Sequence, residues 1–252
     1  MASNPPQRCC TLGVKHEGAP TGSTIKIADT IETYVAEPTE KVHKDTAILY
    51  LPDVIGIWQN SQLMADQFAA NGYYTIVPDL FNGDPISLNR PESFDFMQWL
   101  TKGSDGNNPH TFTHVDPIVQ KAIEFLKSKG YTKIGAVGYC FGAKYVARFM
   151  AEGKGIDVGY VAHPSFVDED ELRAIKGPFS ISAAETDEIF PAEKRHKSEE
   201  ILKEIGATYQ VNLFSGTVHG FAVRCDLSKK IEKYAKEQAF LQAVTWFDEY
   251  LI

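Results

Sequence analysis

Cys140 stands at the centre of Gly138-Tyr139-Cys140-Phe141-Gly142. A chain that turns sharply from a strand into a helix holds the residue at the turn in strained backbone, and side chains two positions to either side would collide, so glycine fits there. Residues 134–137 form a short apolar run of strand type, and residues 143–150 carry helical spacing. That context is a nucleophile elbow with cysteine where serine is usual. A thiol so placed projects over the C-terminal edge of a sheet at a helix N-terminus, where the dipole and free N–H groups favour the thiolate. The pentapeptide without its flanks would equally describe a cysteine packed as a small hydrophobe.

A nucleophile of this kind needs a base and a group to orient it, and after such an elbow they come in the order acid, then histidine. Asp187 follows the apolar run 179–183, and His219 follows the run 208–214, so both fall in loops at strand C-terminal ends, the rim from which Cys140 emerges. The expected roles are Cys140 as nucleophile, His219 as base and later proton donor, and Asp187 as the group that orients the imidazole. A tetrahedral oxyanion needs two N–H donors. The backbone of Phe141 supplies one, and the loop Leu51-Pro52-Asp53-Val54-Ile55-Gly56 supplies the other, with Val54 the expected donor.

Other residues invite chemistry less strongly. His110 and His114 stand four apart, but Pro109 and Thr113 suggest a loop and a helix cap, and no third ligand lies near, so no metal is expected. His163, Trp58, Tyr139 and Phe221 are close to motif residues and read either as packing or as pocket walls. The four cysteines, Cys9, Cys10, Cys140 and Cys225, show no zinc-knuckle or CxxC spacing. A redox-thiol reading would require a partner for Cys140, and Cys225 is the one expected to serve. Glycine-rich phosphate cradles are absent, and no cofactor is expected.

These residues must be positioned by strands alternating with helices. Strand-type runs fall at 47–51, 73–77, 134–137, 158–162, 179–183 and 208–214, and helical spacing falls at 63–70, 115–127, 143–150, 193–205 and 229–250. This is the pattern of βαβ units, a mostly parallel twisted sheet with helices on both faces. Residues 25–35 suggest one or two short strands forming an antiparallel edge. Residues 82–109, rich in Gly, Pro, Asn and Asp with a helical candidate only at 93–100, read as an inserted binding loop or lid. A chain of 252 residues with ordinary apolar content suits one α/β domain over 1–252. Its net charge of −8 argues against nucleic-acid or anionic-membrane partners. Residues 1–10 are polar and show no signal-peptide pattern, and the cysteine usage suits reduced thiols, so a cytoplasmic location is expected.

With these residues in view, the chain resembles the dienelactone hydrolase family of the α/β-hydrolase superfamily. The matching pieces are the cysteine elbow, Ile48-Leu49-Tyr50-Leu51 with the following 53–56 loop, Val77-Pro78-Asp79-Leu80-Phe81, Asp187 after its strand, and His219-Gly220-Phe221. The resemblance spans roughly residues 33–251 and implies an α/β-hydrolase fold and cleavage of small esters or lactones through an acyl-enzyme. It also implies roles for charged residues. Bacterial lactonases of the family carry a Glu close to the resting thiol, and Asp53 takes that place here, one methylene shorter. They hold the substrate carboxylate with arginines, for which Arg224 and Arg90 are the counterparts, Arg224 shifted by one position. The opening Cys9-Cys10 with His16-Glu17-Gly18 is similar to fungal and other eukaryotic members. The expected partner is a small-molecule ester or lactone, and the expected state is a monomer or homodimer. A non-catalytic ligand-binding member of the same fold and a thioesterase or redox-thiol protein stand as alternatives.

Overall fold

A computed structural model describes residues 1–252. A 3-10 turn at Arg8–Cys10 precedes β1 (Ser23–Ile27), β2 (Ile31–Ala36), β3 (Thr46–Leu51), α1 (Gln59–Ala70), β4 (Tyr74–Pro78), α2 (Phe96–Lys102), α3 (Phe112–Ser128), β5 (Lys133–Tyr139) and α4 (Gly142–Phe149). Then follow β6 (Val158–Ala162), α5 (Glu169–Arg173), β7 (Phe179–Thr186), α6 (Ala192–Glu204), β8 (Tyr209–Val218), α7 (Phe221–Arg224) and α8 (Lys230–Tyr250). All eight strands join one sheet in the order β1-β2-β4-β3-β5-β6-β7-β8. The β1–β2 and β2–β4 pairs are antiparallel and the rest are parallel, so the antiparallel edge expected near residues 25–35 is present.

Strand alternation divides the interior in two. In β3, Ala47, Leu49 and Leu51 join a core of 46 buried residues, while Ile48 and Tyr50 join another of 26. Helices α2 to α6 contribute to the larger core, and α1, α7 and α8 to the smaller. Strands buried on both faces are the physical reason that these segments read as unbroken apolar runs.

Parallel strands point their C-terminal ends the same way. The loops after β3, β5, β6, β7 and β8 therefore bring Asp53, Cys140, Ser165, Asp187 and His219 to one rim, where open α/β sheets place their ligands. Strand β8 runs four residues past the expected end, to Val218, because a register shift near Ala184 and Thr186 lets the pairing resume at Thr186 and Val218.

The 82–109 segment packs down on the sheet rather than standing free. Trp99 is buried against Phe81, and its indole N–H donates to Asp84 O at 2.9 Å. His110 Nε2 meets Asp84 at 2.9 Å, whereas His114 Nδ1 meets the Thr111 and Thr113 hydroxyls, so the two histidines serve separate local contacts.

The N-terminal residues form a strap across the rim. Ala2 N–H donates to Val167 O and Asn4 N–H to Ile189 O, each at 2.7 Å, and Phe166 N–H donates back to Asn4 O. Further along, Asn89 N–H donates to Thr11 O, Val14 N–H to Arg224 O, and the His16 ring meets Cys225 O at 2.8 Å. The strap leaves Cys140 fully buried.

Candidate active site

Cys140 has φ +50°, a left-handed conformation that costs a non-glycine residue about 1–2 kcal/mol. The flanking glycines show why it is tolerated. A Cβ on Gly142 would stand 2.0 Å from Leu51 O, and one on Gly138 would stand 2.7 Å from Ala143 Cα, both against backbone. Gly142→Ala is therefore expected to destabilise the fold by about 3 kcal/mol, the upper range for overpacking. Urea unfolding checks this, and an unchanged midpoint would refute the close approach of the elbow to β3.

The elbow is tied to its neighbours by backbone bonds. Cys140 N–H donates to Ala162 O and Ser165 N–H donates to Cys140 O at 3.0 Å. Ser165 Oγ lies 3.6 Å from Cys140 Sγ. The Val54 and Phe141 N–H groups have no acceptor within the chain.

His219 Nδ1 meets Asp187 at 2.9 and 3.1 Å, and Asp187 is held in turn by the N–H groups of Ile189 and Phe190. On the other side of the ring, Nε2 meets Cys10 Sγ at 3.5 Å. The donor atoms of Cys10, Cys140 and His219 all lie within 4.8 Å of one another. The three residues singled out by order in the sequence are thus brought together, with Cys10 as a fourth member.

Burial alone would raise the Cys140 thiol. The Cys10 thiol, the His219 charge and Arg224 outweigh it and hold Cys140 well below the usual thiol range. Burial would lower His219, but the negative charges of Asp187 and Cys140 push it up to about 10. Burial works to raise Asp187, while His219 and the two backbone N–H donors bring it below the usual carboxylate range. These directions favour a thiolate–imidazolium pair backed by a carboxylate. Cys10 is driven well above the thiol range, first by burial and then by its thiol neighbours, and remains protonated.

Asp53 and Arg224 are bonded to each other, fully buried, and Asp53 also accepts from Ile55 N–H at 3.0 Å. Arg224 further donates to Leu12 O at 3.2 Å and Cys9 O at 3.3 Å, so in this arrangement its guanidinium holds the strap. Gly220, with φ +90°, leaves it room, since a Cβ there would stand 2.3 Å from the guanidinium. Arg90 donates to Phe94 O at 3.0 Å and lies over the Phe94 ring, with its Nε unpartnered.

The aromatic neighbours divide. Tyr139 precedes the nucleophile in a strand and therefore points to the opposite face, where it packs on Tyr50 and belongs to the smaller core. Its ring also lies 6.1 Å from that of His163, the neighbour of His219. Phe221 packs edge-on to His163, which lies 5.0 Å from the His219 ring. Burial, then the charges of His219 and Arg224, keep His163 far below the usual imidazole range, so it is a neutral packing surface with both ring nitrogens unpartnered. Trp58 packs against both cores at the start of α1. The thiol brought to Cys140 is that of Cys10, where the sequence pointed to Cys225, because the strap folds back over the rim.

A cavity of about 670 Å³ lies between β8 and α8 and touches none of these groups. A cavity of about 260 Å³, lined by Leu12, His219, Phe221 and Arg224 among others, reaches the site at His219. Chemistry, not volume, locates the site, since the strap fills the space over Cys140.

The chain is similar to known proteins over nearly its whole length. The family model described as the dienelactone hydrolase family matches residues 31–251. The hydrolase tropI of Talaromyces stipitatus is 51% identical over 255 residues, covering 100% of this chain and 99% of that protein. Dienlactone hydrolase 1 of Gibberella moniliformis is 36% identical, covering 100% of this chain and 96% of its own. The crystal structure of a dienelactone hydrolase from Klebsiella pneumoniae, 14% identical, superposes with a TM-score of 0.70 over 92% of this chain and 100% of its own, a likeness of fold. With the relatives and the family model agreeing over nearly the whole chain, it belongs to the dienelactone hydrolase family and is a carboxylic ester hydrolase with the α/β-hydrolase fold.

Proposed function

We propose that this enzyme cleaves small esters or lactones through an acyl-thioester on Cys140, with His219 as proton carrier and Asp187 as its orienting group. The observation that carries the reading is the buried His219, fixed to Asp187 through Nδ1 and facing the thiols through Nε2, above an elbow at φ +50°. The Cys140 thiolate attacks the carbonyl carbon and the carbonyl electron pair moves to oxygen. The unpaired N–H groups of Phe141 and Val54 receive that oxyanion. As the tetrahedral species collapses, the His219 imidazolium gives its proton to the leaving alkoxide, which stays tethered when the substrate is a lactone. Neutral His219 then takes a proton from water, and the resulting hydroxide attacks the thioester and regenerates the thiolate. Arg224 and Arg90 supply positive charge beside the strap, which suits substrates bearing a carboxylate, and Phe221 and Trp58 offer apolar walls.

Substrate reaches the sulfur once the strap moves aside. The test is to quench the enzyme during turnover of p-nitrophenyl acetate and map the acetyl adduct by peptide mass spectrometry. The adduct is expected on Cys140. An adduct on Cys9, Cys10 or Cys225 alone, or rapid turnover without any thioester, would overturn the reading.

A pH dependence follows. His219 is the proton donor to the leaving group and is raised to about 10, so kcat/KM for an alkyl ester is expected to hold through neutral pH and fall as pH rises through about 10. The same raised value makes the contribution of His219 to stability complete below about 6.5 and lost on rising through about 10. A rate profile with its basic limb near 7 would contradict the ion pair.

A further inference from the structure

We propose that Cys10, Cys140 and His219 together form a binding site for a soft divalent cation of the zinc class, and that the cation locks the strap onto the nucleophile. The three donors come from three distant parts of the chain, the strap, the elbow and the loop after β8, and all lie within 4.8 Å of one another. Tetrahedral zinc sets its sulfur and nitrogen ligands about 3.5 Å apart and two sulfurs about 3.8 Å apart, given its usual bond lengths. Cys10 Sγ and His219 Nε2 are already 3.5 Å apart. The ring is prepared for a metal on Nε2, because Nδ1 is held by Asp187 at 2.9 Å, the carboxylate–histidine arrangement that orients metal-bound imidazoles. Binding releases the Cys10 and His219 protons to solvent, and the two thiolates and neutral imidazole that result select a soft or borderline cation over magnesium or calcium. The positive charge of Arg224 opposes a cation, and its ion pair with Asp53 reduces that opposition. Three protein ligands leave a fourth position for water.

Cys10 has no assigned part in ester cleavage, yet it is the residue that converts a reactive pair into a three-ligand site. Coordination would occupy both the thiolate and the base and tie residue 10 of the strap across the rim. The expected block of hydrolysis rests on the function proposed above; the cation site itself does not.

The experiment uses the full chain, kept reduced and under argon so that no disulfide competes, and titrates it with Co²⁺ and Zn²⁺. One Co²⁺ per chain is expected, with the intense visible bands of tetrahedral cobalt and near-ultraviolet thiolate charge transfer. Cys10→Ser, nearly isosteric, is expected to lose about half of the charge-transfer intensity and to weaken Zn²⁺ by roughly 100-fold or more, since losing even an outer-shell partner costs 10–100-fold. Cys225→Ser is expected to bind as the parent does. One equivalent of Zn²⁺ is expected to abolish ester turnover and a chelator to restore it. An octahedral cobalt spectrum, or Zn²⁺ binding equally tight in Cys10→Ser, overturns the site. A chain that binds Zn²⁺ as described but never hydrolyses an ester would instead remove the proposed function and leave the site standing.

Discussion

Cys140→Ala is expected to lower kcat/KM for p-nitrophenyl acetate by about 10⁵-fold, a loss typical of removing the nucleophile from a cooperating set. The size follows from how little else remains. In the proposed mechanism, loss of the sulfur removes the acyl-enzyme and leaves only a residual acceleration from the Phe141 and Val54 N–H groups and substrate binding. His219→Ala is expected to cost nearly as much, and the double variant little more than either alone, because the two act as one unit. Cys140→Ser separates two explanations. If the resting thiolate matters, serine should fail by about 10³-fold or more despite its similar size, since its hydroxyl, a far weaker acid than a thiol, forms no resting ion pair with His219. Steady-state kinetics on purified variants, with circular dichroism to show intact folds, provide the check. If Cys140→Ala kept more than a tenth of parental activity, the nucleophile would have to be sought elsewhere, and Cys10 at 3.5 Å from His219 would be the first place to look.

The features legible in the sequence are local ones. The elbow could be read because its glycines, flanking strand and following helix lie within about twenty residues, and each answers a steric demand that a sequence displays directly. Asp187 and His219 were visible because a parallel sheet sends successive strand ends to one rim, so chain order maps onto spatial order. What escaped is long-range. Cys10 meets His219 across 209 positions and Arg224 meets Asp53 across 171, and no periodicity encodes such contacts. The polar opening of the chain gave no sign that it closes the site, because its partners, among them Val167, Ile189, Asn60 and Arg224, lie far along the chain. Ser165 was within reach: it follows β6, the strand next to the elbow strand, in a rim loop that already held His163. Tyr139 was legible as packing, since the residue preceding a nucleophile at a strand end faces the other side of the sheet.

The second large effect concerns the pair beneath the strap. Arg224→Met is expected to destabilise the protein by about 3–5 kcal/mol at pH 8, the range for breaking a buried ion pair from one side, and to lower Tm by about 10 °C for a chain of this size. Three losses combine: the partner of Asp53, and the bonds to Cys9 O and Leu12 O that hold the strap. The pH dependence identifies which dominates. Burial raises Asp53 to about 6 even with Arg224 pulling it down. A carboxyl raised above its unfolded value contributes stability that is fully present below about pH 4 and is lost as pH rises through its folded pKa. Removing Arg224 removes the main group that lowers Asp53, so in the variant that loss must deepen and extend to higher pH. The deficit relative to the parent is thus expected to be large at pH 8 and much smaller at pH 5, where Asp53 is protonated in the variant. Adding Asp53→Asn to Arg224→Met is expected to recover part of the stability at pH 8 and almost none at pH 5, because a neutral amide needs no counter-ion. Urea unfolding of the parent and both variants at the two pH values decides the matter. Equal deficits at both would mean that Arg224 stabilises the fold through the strap carbonyls alone, and that Asp53 does not depend on it for its charge.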